Sequence, residues 1–70
     1  MNLQPHQQRV VNEKQELDKN LDKLTAFINS NNFTTVDQDE RRRLVKQESI
    51  MREYSDVLAE RIEAFIINIK

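Results

Sequence analysis

Apolar residues recur along this chain in alternating steps of four and three. In the first half the series is Val10, Leu17, Leu21, Leu24 and Ile28, with Lys14 filling the one polar position. That spacing is a coiled-coil seam on an α-helix. Val11 and Phe27 widen the stripe. In the second half the seam is Leu44, Glu48, Met51, Ser55, Leu58, Ile62, Phe65 and Ile69. Between them lies Asn29-Ser30-Asn31-Asn32-Phe33-Thr34-Thr35-Val36, rich in side chains that compete for backbone hydrogen bonds and favour turns and caps.

The pattern predicts an all-α chain, an antiparallel helical hairpin forming one domain over residues 1–70. The expected bounds are a helix over about 5–29, a linker over about 30–36 and a helix over about 38–68. Pro5 suits a first helical turn, where its missing N–H has no partner to lose. Asn31 or Asn32 is expected to take the left-handed conformation that glycine usually supplies at a helix end. Asp37 reads as the second N-cap, with Glu40 closing an acidic capping box. Matching the seams sets Leu24 opposite Leu44, Leu17 opposite Met51 and Val10 opposite Leu58. Lys14 then faces Tyr54 and Ser55, and Arg9 and His6 approach Arg61 and Ile62. The second helix outruns the first, leaving Phe65, Ile66, Ile67 and Ile69 on an overhang. Soluble monomers avoid such a patch, so these four residues are the expected oligomer interface.

Composition supports that expectation. A chain of 70 residues is short of core, and chains below about 70–80 residues usually need a staple. There is no cysteine for disulfides and one histidine, too few for the usual zinc site. Self-association is the staple left over. The absence of glycine argues against a sheet-rich fold and excludes P-loops and dinucleotide-binding turns. The net charge of −1 gives no bulk attraction to nucleic acid or membrane, and neither is an expected partner. No apolar run is long enough to span a bilayer. The polar start does not read as a signal peptide, and a cytosolic location is expected.

Catalytic chemistry finds little support. No Cys nucleophile exists, and Ser55 has no histidine on its helical face. Glu13-x-x-Glu16 and Glu60-x-x-Glu63 lack the histidines of di-metal helical bundles. No enzyme activity, cofactor or metal is expected. Arg41-Arg42-Arg43, with Lys46, follows Asp37, Asp39 and Glu40 directly and is largely neutralised. Gln47, Tyr54 and Arg61 are spaced by seven and border the second seam. The hairpin gathers Arg9, Lys14, Tyr54 and Arg61 towards one end. Arginine forks hold phosphate and a tyrosine ring offers a face for a base, so the group suits a small anionic nucleotide. Ion pairing with Glu13, Asp56 or Glu60, with Lys14 specifying register, explains the same residues without a ligand.

The run His6-Gln7-Gln8-Arg9-Val10-Val11-Asn12-Glu13-Lys14-Gln15-Glu16-Leu17 resembles the opening of a small family of phage helical hairpins. Leu21-x-x-Leu24-x-x-Phe27-Ile28 and Met51-x-x-Tyr54-Ser55-x-x-Leu58-x-x-Arg61-Ile62 resemble it too. The family includes anti-CBASS and anti-Thoeris sponges, and the anti-CBASS type is the better match. The resemblance implies a homo-oligomer, a hexamer for that type, with pockets between subunits. It implies sequestration, without cleavage, of a cyclic immune signal: cyclic oligonucleotides, with cyclic dinucleotides first and cyclic trinucleotides beside them, or cyclic ADP-ribose isomers, among which the residues do not choose. It implies ligand roles for Arg9, Lys14, Tyr54 and Arg61, and a site of action in the cytoplasm of the infected host. The alternative is an interaction module that assembles through its tail and binds a protein through Arg41–Arg43.

Overall fold

The computed structural model describes residues 3–67. Helix α1 spans Pro5–Ile28 and helix α2 spans Gln38–Ile67. They lie side by side as a hairpin within an envelope of 51 × 15 × 14 Å. All regular structure among the described residues is helical.

Each helix starts where its local chemistry dictates. Gln4 precedes α1, and its N–H donates to Gln7 Oε1 at 2.9 Å, satisfying a donor the helix leaves orphaned. Asp37 caps α2: its carbonyl accepts the Arg41 N–H at 2.8 Å and its carboxylate accepts the Asp39 N–H at 3.1 Å. The reciprocal arm of the box does not form. Glu40 instead accepts from Arg43 Nε at 2.8 Å, one turn further on, where a charged donor outcompetes a backbone amide.

The linker winds a single 3-10 stretch, Asn31–Thr35. No described residue has a positive φ, so neither Asn31 nor Asn32 adopts the expected left-handed conformation. Asn29 ends α1 at φ −88° and ψ 1°. At the end of α1 Ser30 Oγ donates to the Phe27 carbonyl at 2.7 Å, and within the 3-10 stretch Thr34 Oγ1 donates to the Asn31 carbonyl at 2.7 Å. Phe33 closes the linker against Phe27, edge to face, with ring centroids 6.1 Å apart.

The seam residues form the interhelical layer. Val10, Leu21 and Leu58 are buried, and Leu17, Leu24, Ile28, Leu44, Met51, Ile62 and Phe65 are half-buried. The polar seam members Lys14, Glu48 and Ser55 turn inward with them. Ile66 and Ile67 are exposed, and Ile69 lies outside the described residues. Fully burying a Val or Leu contributes about 1.5–3 kcal/mol, so a core of three buried apolar side chains, of which Leu58 alone is fully buried, is thin.

Candidate functional site

Polar links cross the hairpin at three levels. Thr25 Oγ1 donates to Glu48 Oε2 at 2.7 Å near the linker. Ser55 Oγ donates to Asp18 Oδ1 at mid-length. Tyr54 OH donates to Glu13 Oε2 beyond it. In an α-helix each Cα–Cβ bond tilts towards the N-terminus. The helices are antiparallel, so residues of α2 lean towards the linker while those of α1 lean away. Ser55 and Asp18 therefore converge, as do Glu48 and Thr25, although seam matching alone set Ser55 opposite Lys14.

Lys14 is placed differently from the simple register. Its amine pairs with Asp18 Oδ2 at 2.6 Å within α1, and its side chain is 25% exposed. Asp18 thus joins Lys14 to Ser55 and connects the two helices. The Lys14 hydrogen bond, then that of Ser55, holds the Asp18 carboxyl below its ordinary pKa. Lys14 is a neutralised amine on a short tether rather than an open cation.

Tyr54 is 42% exposed, and its hydroxyl is engaged by Glu13, the residue before Lys14. The bond to Glu13 raises the phenol pKa, and the positive charge of Arg61 pulls the other way. Arg61 therefore lies within electrostatic reach of the ring. Arg9 and Arg61 are both exposed, and neither forms an ion pair among the described residues. The end of the hairpin so offers a half-exposed aromatic face, two arginine forks and a restrained lysine. Such a group can stack against a planar ring and hold an anion. Glu13 adds a negative charge at its centre.

Glu13, Asp18 and Ser55 are the residues that order this group; Glu13 was a candidate partner from the sequence and Ser55 was placed near Lys14, whereas Asp18 was not singled out. Asp18 sits four residues after Lys14, a visible i,i+4 pairing. The Tyr54–Glu13 bond joins residues that the seam register already sets level, whereas the link from Ser55 to Asp18 depends on side-chain lean between the helices.

A second feature lies at the linker end. An open hollow of about 380 Å³ is lined by Phe33, Gln38, Arg41, Arg42 and Val45. Arg41 Nε is sealed from solvent there without a hydrogen-bond partner. The described residues contain no cluster of three or more acidic or histidine side chains able to hold a metal. None of their helices is long and apolar enough to cross a membrane.

The fold and the polar group define a small helical-hairpin protein with a cationic, aromatic end. The Sequestin family model matches residues 4–64, and the chain belongs to that family, whose name suggests a sequestering role. No curated protein and no solved structure matches the chain.

Proposed function

We propose that this protein sequesters a cyclic oligonucleotide immune signal on behalf of a phage, of the anti-CBASS type. Cyclic dinucleotides are the first ligand class, with cyclic trinucleotides beside them. The observation that carries the reading is the half-exposed Tyr54, with Arg61 two turns further along the same helix and no carboxylate paired to that arginine among the described residues. Membership of the Sequestin family supports the sequestering half. Tyr54 stacks on a base, Arg9 and Arg61 hold phosphates, and Lys14 offsets charge while Asp18 keeps it in place. In this reading binding is stoichiometric and the ligand is held rather than turned over. The protein acts as a homo-oligomer, a hexamer in this reading, in the cytoplasm of the infected host. Phe65, Ile66, Ile67 and Ile69 pack between copies, and the shared pocket buries a ligand too large for one thin hairpin.

The test is a thermal-shift panel on the purified protein, with its mass measured in solution. Cyclic dinucleotides of both linkage types, cyclic trinucleotides, cyclic ADP-ribose isomers and linear controls are compared. A ligand at a hundred times its dissociation constant stabilises by about 2.7 kcal/mol. The expected result is a clear shift with cyclic dinucleotides and none with linear controls. Tyr54→Leu and Arg61→Gln are expected to weaken binding at least about tenfold, or about 1.4 kcal/mol, with mass unchanged. A second reading, a protein-interaction hairpin, is favoured by the hollow at Phe33, Arg41 and Val45. A folded oligomer that shifts with no member of the panel selects it.

A further inference from the structure

The three consecutive arginines near the start of α2 are not treated alike. Arg42 and Arg43 each reach a carboxylate three residues back, Asp39 at 3.6 Å and Glu40 at 2.8 Å. Three residues before Arg41 stands Gln38, which has no charge to offer. Four before it stands Asp37, whose carboxylate accepts the Asp39 N–H instead. Arg41 is left without an ion pair among the described residues, although it is the least exposed of the three. Its Nε is sealed from solvent with no acceptor. A guanidinium that has lost hydration and gained no partner is costly. An anion brought to it gains more than at a fully hydrated arginine, because the local dielectric is lower.

The surroundings limit what can bring that anion. Arg41 lines the open hollow with Phe33, Gln38, Arg42 and Val45, none of them acidic. The carboxylates of the α2 cap and first turns are engaged elsewhere: Asp37, Asp39 and Glu40 as above, and Glu48 with Thr25 and Arg52. Asp22, the last acidic residue of α1, is not among the walls. Lys46 adds a further cation without an ion pair among the described residues. The hollow therefore holds an unmet positive charge. It also has an apolar wall, since Val45 is 47% exposed and the Phe33 ring is fixed edge to face on Phe27. Sites for small ligands enclose most of the ligand surface, and this hollow is open. Aromatic and arginine side chains around an open hollow suit side chains projecting from a larger partner.

We propose that the hollow at the linker end is a docking site for a partner protein, taking a segment with a carboxylate side chain beside a large apolar one. The carboxylate meets the outer nitrogens of Arg41, and the apolar side chain packs on Phe33 and Val45. Arg41 and Arg61 are twenty residues apart on α2, about 30 Å, so this site and the candidate nucleotide site can be filled together. The proposal gives the protein-interaction reading a partner chemistry, and it holds whether or not a nucleotide binds at Tyr54.

A random peptide library displayed on filamentous phage is panned against the intact protein. Counter-selection uses Val45→Asp, which sets a carboxylate on the exposed wall to repel the expected partner. Enriched peptides are synthesised and their binding is read by fluorescence anisotropy. They are expected to carry Asp or Glu beside Phe, Leu, Ile or Met. Affinity is expected to fall at least about tenfold with Arg41→Met, and equally when the peptide carboxylate becomes an amide. Arg41→Met keeps an apolar stem and removes the unpartnered N–H, so the melting temperature is expected not to fall. Lys19→Gln removes the same charge from an exposed position on α1 and is expected to leave binding unchanged. Peptides without a carboxylate, binding that ignores Arg41→Met, or no enrichment on a helical protein overturn the proposal. Inorganic phosphate that displaces the peptide at equal concentration overturns it too, leaving an anion site alone. So does a synthetic peptide of residues 60–70 that binds as tightly as the best selected one, which would give the hollow to the tail of a second copy. A cyclic dinucleotide shift without peptide enrichment refutes the docking site and leaves sequestration standing. Peptide binding without any ligand shift does the reverse.

Discussion

Two side chains set the chemistry of the hairpin end, and both act through a carboxylate on α1. Asp18 holds Lys14 and Ser55 together, and the hydrogen bonds from both hold its carboxyl below the ordinary range. Glu13 accepts a hydrogen bond from the Tyr54 hydroxyl and makes loss of its proton harder, because the bond would be lost and the phenolate would face a carboxylate. The chain has one tyrosine and no tryptophan, so ultraviolet titration reports Tyr54 alone. The phenol is expected to titrate above the ordinary tyrosine range. Glu13→Gln is expected to bring the midpoint down, and Arg61→Gln to move it further up. A midpoint that ignores Glu13→Gln would show the bond to be absent in solution. The sign for stability follows: a group whose pKa is raised on folding contributes fully below its unfolded pKa, and that contribution is lost as pH rises through the folded value. Lys14 on the seam and Tyr54 beside it were legible in the sequence. Which of several nearby carboxylates each would take was not, since that choice depends on lean and reach across the helix pair.

The elements themselves follow from short-range signals. Steps of four and three identify the buried face, and every described member of both predicted seams is buried or half-buried. Even Glu48 and Ser55, polar in an apolar series, turn inward, each taking a partner from α1. The linker was less legible. Asn, Ser and Thr can satisfy helix ends through side chains as well as through a left-handed residue, and here Ser30 does so at the end of α1. The start of α2 rests on one capping residue, because Glu40 is drawn to Arg43. Removing an N-cap carboxylate costs about 1 kcal/mol. Asp37→Ala is therefore expected to lower the melting temperature by about 4–8 °C for a domain of this size. Glu40→Ala is expected to change it little, since exposed pairs of this kind are worth a few tenths of a kcal/mol. Circular dichroism melts of the two variants, side by side, separate a working capping box from a single cap.

At the scale of the whole molecule, the hairpin was readable from one sequence because both halves carry the same period and a short polar linker joins them. The assembly was readable only as a need, from the overhanging tail and the small core. Ile50 and Val57 form an exposed apolar stripe on α2, interleaved with Tyr54 and Arg61, and that exposure becomes visible only once α1 is in place. That thin core makes a claim about thermodynamics. If folding depends on association, stability is inseparable from protomer concentration. A hundredfold dilution removes about 2.7 kcal/mol from the association term at 25 °C. For a pair of 70-residue chains melting together, this is expected to lower the melting temperature by roughly 5–10 °C. The measurement is calorimetry or circular dichroism across that dilution range. A concentration-independent midpoint would mean that one hairpin closes its own core, and the exposed apolar stripe would lose its role in holding the fold. A falling midpoint abolished by Ile50→Glu/Val57→Glu, with the variant melting at the dilute limit of the parent, would tie stability to that stripe.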